Sequence, residues 1–109
     1  MRKYRTLDNI EEEYFRKHPR EVSAYLAEIF DEYAQDGDSA ALLASLRVVA
    51  KVKGITALAE QTGMTRQGLQ KALSSKGNPR LDSINSIMHA LGYRLKPERL
   101  TPSQRTHSN

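Results

Sequence analysis

The sequence predicts an all-α fold, because apolar residues recur at helical spacing along most of the chain and glycines or prolines separate the runs. Its 109 residues are enough for one domain. The chain contains no cysteine, so disulfide bonds and thiolate metal sites are excluded and helix packing must hold the fold together. No apolar run approaches the roughly 18–20 residues that cross a bilayer, and the start of the chain lacks the apolar stretch of a signal peptide. We therefore expect a cytoplasmic protein that does not associate with a membrane.

Six helices are predicted. In chain order they cover 8–17, 19–36, the run from Asp38 to Gly54, 56–62, 65–74 and 81–91. Pro19 suits the first turn of the second helix. Asp38 can cap the third helix and Gly54 can end it. The two helices after Gly54 have about two turns each, too few for stability alone in water, so both must pack against their neighbours.

The last predicted helix should turn one apolar stripe inward. Its members are Leu81, Ile84, Ile87, Met88 and Leu91. The residues at 93–96 then alternate like a short strand, which would have to pair with another chain or remain irregular, because no second strand is predicted. These patterns divide the chain into an N-terminal helical extension at 1–37, a main domain at 38–97 and a flexible tail at 98–109.

Charge is distributed unevenly along the chain. Residues 1–36 contain six Lys or Arg and nine Asp or Glu, a net charge of −3, whereas residues 37–109 contain eleven and four, a net charge of +7. An acidic first part favours a basic partner, and a basic second part favours a polyanion. Two ordinarily solvated surfaces are the alternative interpretation.

The segment from 58 to 69 has the spacing of a helix-turn-helix unit. Two short helices that cross at a steep angle need a small residue where their axes approach, and Ala59 is suitably placed. Gly63 can adopt the positive φ angle of the turn without steric cost, and Thr65 can cap the second helix. The residues after Thr65 should then face outward. This short unit is predicted to carry the function of the main domain.

An ordinary helical hairpin, with Gly63 as a simple C-cap, is the alternative to this interpretation. Two observations favour the helix-turn-helix. Residues 47–80 hold seven basic residues against the single acid Glu60, and amide side chains lie near the start of the second helix. A positive helix of this kind is suited to the major groove of DNA.

Three sequence runs carry a resemblance to a known family. They are Leu-Ala-Glu-Gln-Thr-Gly-Met-Thr-Arg at 58–66, Gly-Asn-Pro-Arg-Leu at 77–81 and Ala-Leu-Gly at 90–92. With them the chain resembles the lambda-repressor-like (Xre-type) helix-turn-helix family over about residues 19–97, and within it the HigA-like addiction-module antidote proteins. The resemblance implies a bundle in which 56–62 is the positioning helix and 65–74 the recognition helix. It also implies an antitoxin that represses its own operon and sequesters a RelE/ParE-like ribonuclease toxin.

Nine residues are predicted to contact double-stranded DNA. They are Thr56, Thr65, Arg66, Gln67, Gln70, Lys71, Lys76, Asn78 and Arg80. Arg66 and Gln67 start the recognition helix and are the expected base readers, because Arg pairs well with guanine and Gln with adenine. Lys71 can contact a base or bind a phosphate. Gln70 can contact DNA or lie to the side of the DNA-facing surface. The two threonines stand at predicted helix starts, where each can bind phosphate or act only as a cap.

Other polar residues are open to two interpretations. The loop after the recognition helix contains Lys76, Asn78 and Arg80. These side chains can hold the DNA backbone, or they can simply be solvated. Gly68 lies inside that helix, where glycine lowers helix stability by about 1 kcal/mol relative to Ala. Either the helix approaches the DNA backbone closely at this position, or the fold simply tolerates the glycine. Basic residues of the third helix are interpreted as solvating its outer face and are left out of the site; they are Arg47, Lys51 and Lys53.

The expected partners follow from these features. Helix-turn-helix modules read one half-site each, so we expect a homodimer on a palindromic operator. The acidic extension is the candidate surface for a basic ribonuclease-type toxin, with Tyr25, Phe30 and Tyr33 as anchors or, alternatively, as core residues. A stand-alone repressor and a protein-binding module that does not bind DNA are the competing functions. The histidines are far apart and no Gly-rich phosphate loop occurs, so we expect no enzymatic activity, no cofactor and no metal.

Overall fold

The computed structural model describes residues 7–74 and 76–105, and within these ranges it contains only helices, turns and irregular segments. The α-helices are α1 Leu7–Lys17, α2 Val22–Asp36, α3 Ser39–Lys53, α4 Ile55–Thr62, α5 Arg66–Ala72, α6 Leu81–Ala90 and α7 Pro102–Arg105. A 3-10 turn at Pro19–Glu21 leads into α2. The all-α prediction is therefore confirmed for the described part. The predicted extension and tail also include 1–6 and 106–109, which lie outside the described residues.

Local signals in the sequence determine where the middle helices begin and end. Asp38 caps α3 as predicted, because its side chain accepts a hydrogen bond from the Ala41 amide at 3.1 Å. Gly54 alone connects α3 to α4. Its amide donates to the Ala50 carbonyl at 2.8 Å, and its own carbonyl accepts from the Leu58 amide at 2.9 Å. Its φ angle of 106° is open to glycine and strained for other residues, so the direct junction requires this residue.

Helix α3 lies at the centre of the bundle. It packs against α1, α2 and α4, and α4 in turn packs against α5 and α6. Side chains from α2 to α6 share one apolar core. Its most deeply buried members include Leu46, Leu58, Leu69, Leu73 and Ile87. Helix α2 therefore packs onto the rest of the bundle through this shared interior, whereas α1 packs mainly against α3.

Polar contacts fix α1 against its neighbours. Arg16 donates from Nη2 to the backbone carbonyl of Lys51 on α3 at 3.0 Å, and the same nitrogen lies 2.6 Å from Glu12 Oε2. At the junction with α2, Tyr14 Oη donates to Glu21 Oε1 at 2.6 Å. This hydrogen bond raises the pKa of the Tyr14 phenol, because the neighbouring carboxylate disfavours loss of the proton.

The structure differs from the sequence prediction after α5. Leu81 was predicted to point inward but is 77% exposed, because it is the first residue of α6 and the core does not extend to that end. The residues at 93–101 are irregular, which is one of the two predicted outcomes, and Tyr93 and Leu95 pack against the core.

A helical turn, α7, lies inside the segment predicted to be a flexible tail. The Thr101 amide donates to Gln104 Oε1 at 2.8 Å, and the Gln104 amide donates to Thr101 Oγ1 at 3.4 Å. This reciprocal pair is a capping box, and Pro102 occupies the first helical position, where its missing N–H costs nothing. No described helix is both long enough and apolar enough to span a bilayer.

Candidate nucleic-acid interface

The turn between α4 and α5 has the positive φ angle at Gly63 that the sequence predicted. Gly63 adopts φ 74° and ψ 13°, in the left-handed region. The Met64 amide donates to the Ala59 carbonyl at 3.0 Å, and the Gly63 amide donates to the Glu60 carbonyl at 3.3 Å. Together these two bonds form a Schellman motif, which ends a helix within one residue. Residues 56–74 are therefore two helices with a sharp turn between them, not one continuous helix.

Helix α5 begins immediately after this turn. Thr65 has extended backbone angles, and its Oγ1 accepts a hydrogen bond from the Gly68 amide at 2.9 Å, so the predicted cap is confirmed. The hydroxyl proton of Thr65 is still able to donate. Leu69 and Leu73 are almost fully buried and fix the other side of α5 in the core. The direction of α5 is thus set at both its start and its inner face.

All nine predicted DNA-contacting residues are exposed. Five of them lie together at the start and along one side of α5: Thr65, Arg66, Gln67, Gln70 and Lys71. The pairs at 66 and 70 and at 67 and 71 are separated by one helical turn, so they share a face. We name these five residues the α5 strip. Their exposure agrees with the prediction, and their contact with DNA remains a prediction.

Thr56 does not occupy the predicted helix start. Helix α4 begins at Ile55, and the residue before it, Gly54, has no side chain to form a cap. Thr56 is instead the second residue of the helix and is exposed. Its predicted role as a cap is therefore wrong, because the single-residue junction starts α4 one position earlier. Its hydroxyl still lies in the first turn, where backbone amides are free to bind an anion.

The loop after α5 folds closely onto the end of that helix. The Gly77 amide donates to the Ser74 carbonyl at 2.9 Å. A Cβ atom on Gly77 would lie 2.7 Å from the Lys71 carbonyl oxygen and 2.8 Å from that of Ala72, too close for any side chain. Glycine at this position therefore allows the loop to approach α5. Lys76 and Asn78, the residues directly before and after Gly77, are both exposed.

Arg47 is a positioning residue that the sequence interpretation missed. It was assigned to the solvated outer face of α3, but it is half-buried and donates from Nη1 to the backbone carbonyl of Leu73. A signal was present in the sequence. Arg47 lies four residues after Leu43 and three before Ala50, both buried, so helical periodicity places it on the inner face.

Arg80 differs from the other loop residues because it has an ionic neighbour. Its Nε lies 3.5 Å from Asp82 Oδ1, and both side chains are largely exposed. A pair in this setting adds little to stability. Within the described part of the chain, no group of three His, Cys, Asp or Glu residues could hold a metal ion.

A second surface combines acidic residues with an exposed tyrosine. Residues 21–46 contain six Asp or Glu and no Lys or Arg. Of the three aromatic residues considered as anchors, Tyr25 and Phe30 are half-buried and pack against the core, whereas Tyr33 is 38% exposed. Tyr33 borders a groove between the end of α2 and the start of α3. The groove is also lined by Ile29, Glu32, Asp36, Asp38 and Leu42, and we call this surface the acidic face.

Fold and geometry together define an all-helical bundle that carries a helix-turn-helix-like pair of short helices with an exposed polar strip. The family described as "Probable addiction module antidote protein" matches residues 7–99, and the chain belongs to this family. An uncharacterized protein from Haemophilus influenzae is 32% identical over 76 residues, which cover 70% of this chain and 74% of that protein. No solved structure matches the chain.

Proposed function

We propose that the protein is the DNA-binding antitoxin of a type II toxin–antitoxin system. In this proposal it neutralises a basic RelE/ParE-like ribonuclease toxin and represses its own operon, as a HigA-like member of the Xre helix-turn-helix proteins. Membership of the antidote family supports the antitoxin role. The observation that carries the DNA-binding role is the sharp turn at Gly63, which leaves Arg66 and Gln67 exposed at the start of α5.

The α5 strip supplies the chemistry that DNA recognition requires. Arg66 can donate two hydrogen bonds to the major-groove edge of guanine, and Gln67 can both donate to and accept from adenine. Lys71 and Lys76 can bind phosphates, which position a protein on DNA without reading its sequence. The net charge of +7 over residues 37–109 adds an attraction to any duplex. A homodimer would present two such strips to a palindrome with half-sites about one DNA turn apart.

The acidic face is the proposed toxin-binding surface. A ribonuclease needs a basic surface to hold RNA, and a protein that covers this surface must offer negative charge. Glu32 and Asp36 provide that charge beside the groove, and Tyr33 provides an aromatic anchor of the kind enriched at interfaces. The protein acts by binding alone in this proposal, in the cytoplasm, without a cofactor or metal.

The DNA-binding role is tested by gel shift on the promoter of the protein's own operon. We expect a specific complex whose affinity falls steeply as salt rises, because bound phosphates release counterions. The double variant Arg66→Ala/Gln67→Ala should lose the preference for the promoter over unrelated DNA. A wild-type protein that binds no DNA at low salt would contradict this role and favour a module that binds only protein.

The antitoxin role is tested by co-expression with the product of the neighbouring open reading frame. We expect the two proteins to purify together and the growth defect caused by the toxin alone to disappear. The double variant Glu32→Lys/Tyr33→Ala should weaken the complex with the toxin. The control is Glu98→Lys, which makes the same change of charge on an exposed residue outside the acidic face and should leave the complex intact. DNA binding without any rescue of growth would favour a stand-alone repressor.

A further inference from the structure

The first residue of α6 is an unusually exposed leucine. Leu81 is 77% exposed, the largest fraction among the big hydrophobic residues of the described chain. It borders an open groove whose other lining residues are Arg80, Asp82, Asn85 and Leu95. We call these five residues the α6 patch. Leu81 and the half-buried Leu95 give this open groove an apolar lining, which a partner can cover.

The groups around Leu81 are self-complementary. A cation at Arg80 and an anion at Asp82 flank the leucine, and 83% and 72% of these two side chains are exposed. Within one chain Arg80 Nε lies 3.5 Å from Asp82 Oδ1. In a two-fold arrangement these exposed side chains can exchange partners, so that Arg80 of one copy meets Asp82 of the second copy while the two leucines meet near the axis. Asn85 lies one helical turn after Leu81, and its amide can both donate to and accept from Asn85 of the second copy.

Charge also distinguishes a second copy from a toxin as the occupant. The formal charges of Arg80 and Asp82 cancel, so the α6 patch offers no net attraction to a basic protein. The acidic face offers such attraction. A second copy of this chain is the partner whose charges match the α6 patch.

The position of the patch relates it to DNA recognition. The residues at 76–80 lead into Leu81, and Gly77 among them lies against the end of α5, where a Cβ would lie 2.7 Å from the Lys71 carbonyl oxygen. A contact between two copies at the start of α6 therefore fixes the separation of their α5 strips. Two-fold operators require a fixed separation of this kind.

We propose that the α6 patch is the homodimer interface. The inference deepens the proposed function and rests on it for the two-fold arrangement on DNA, but the dimer itself is measured without DNA. Sedimentation velocity on the full chain over a series of concentrations should give a monomer–dimer equilibrium. Leu81→Glu should raise the dissociation constant about tenfold or more, because it places two like charges at the axis of the interface.

The control is Leu100→Glu, which makes the same substitution at another leucine, 53% exposed and outside the patch, and should leave the equilibrium unchanged. Both variants should keep the wild-type circular dichroism spectrum, because both leucines are exposed. If Leu81→Glu proves unfolded, Asn85→Asp, a change at an exposed residue of the patch, replaces it with the same expectation.

A chemical cross-link gives an independent measurement. The chain has no cysteine, so Leu81→Cys and Asn85→Cys each introduce a single thiol. Oxidation with diamide should link two copies quickly at one of these positions, since a disulfide requires Cα atoms within about 7 Å. Leu100→Cys should form dimers about tenfold more slowly, as collisions alone allow.

The outcomes separate this inference from the proposed function. A wild-type protein that stays monomeric at every concentration, or a Leu81→Glu variant that dimerises normally, would overturn the inference and leave DNA binding to be judged by gel shift. A variant that keeps its dimer but loses the toxin would also overturn it. If the wild type binds no promoter DNA while Leu81→Glu alone is monomeric, the interface stands and the proposed function fails.

Discussion

Arg47 on α3 donates a hydrogen bond from Nη1 to the backbone carbonyl of Leu73, the C-cap residue that follows α5. The final carbonyls of a helix lack partners inside the helix and carry its negative dipole end, so a guanidinium there satisfies both needs. Leu73 is itself almost fully buried, so the bond joins two parts of the interior. Arg47 thereby ties the end of the proposed recognition helix to the central helix.

The first prediction concerns this hydrogen bond. Arg47→Met keeps most of the aliphatic side chain but removes the donor, and should lower the free energy of unfolding by about 1.5–3 kcal/mol, the range for a bond to a charged group. Urea denaturation followed by circular dichroism measures this change. Lys53→Met, a substitution at an exposed position of the same helix, is the control and should cost much less. Equal costs for the two variants would show that the bond contributes nothing.

The second prediction concerns the turn at Gly63. Gly63→Ala should lower the free energy of unfolding by roughly 1–2 kcal/mol, because a Cβ is disfavoured at φ 74°. No atom lies within 4 Å of the position that this Cβ would take, so the cost comes from the backbone angle alone. Gly63→Asn is the matched control and should cost less, since Asn tolerates this conformation better. Thermal and urea unfolding measure both variants. A Gly63→Asn variant less stable than Gly63→Ala would contradict the role of the left-handed backbone angle at this position.

Much of the fold could be predicted because its helix ends depend on local chemistry. Asp38, Gly54 and Gly63 act through hydrogen bonds to residues at most five positions away, and each marks an observed helix boundary. The exposure of Leu81 could not be predicted in the same way. Helical periodicity assigns a residue to a face of the helix, but whether another element covers that face depends on tertiary packing.

The candidate site likewise contains features that local sequence predicts and features that depend on tertiary packing. The cap at Thr65 and the exposure of Arg66 and Gln67 follow from the order of residues around one turn. The role of Arg47 could not be read from that order, because the carbonyl that it binds lies 26 residues further along the chain. The close approach at Gly77 is likewise a contact with the preceding helix, which the loop sequence alone does not specify.

The third prediction asks why a glycine occupies position 68. A Cβ there would lie 3.0 Å from Thr65 Oγ1, so the glycine leaves room for the capping hydroxyl. Gly68→Ala alone should change stability little, because crowding of the cap offsets the roughly 1 kcal/mol gained in helix propensity. Thr65→Ala should cost about 0.5–2 kcal/mol through loss of the cap.

The two substitutions at 65 and 68 should therefore be coupled. In the Thr65→Ala background the oxygen is absent, and Gly68→Ala should stabilise by nearly the full helix-propensity difference of about 1 kcal/mol. A double-mutant cycle from urea unfolding measures the coupling directly. If Gly68→Ala has the same effect in both backgrounds, the glycine does not serve the cap, and an effect confined to DNA affinity would indicate close approach to the DNA backbone.

The fourth prediction separates base reading from phosphate binding. Arg66→Ala should cost roughly 1–3 kcal/mol of specific binding and relax the preference at one base position, because an arginine at the start of α5 is expected to meet a base edge. Lys76→Ala should weaken binding to all sequences alike and reduce the salt slope by about one, because a loop lysine neutralises a phosphate. Anisotropy titrations against the promoter and its single-base variants at several salt concentrations give both quantities. Lys53→Ala, an exposed lysine outside the proposed site, is the control. The reverse pattern, with Lys76 setting base preference and Arg66 only the salt slope, would show that α5 does not enter the groove by its first turn.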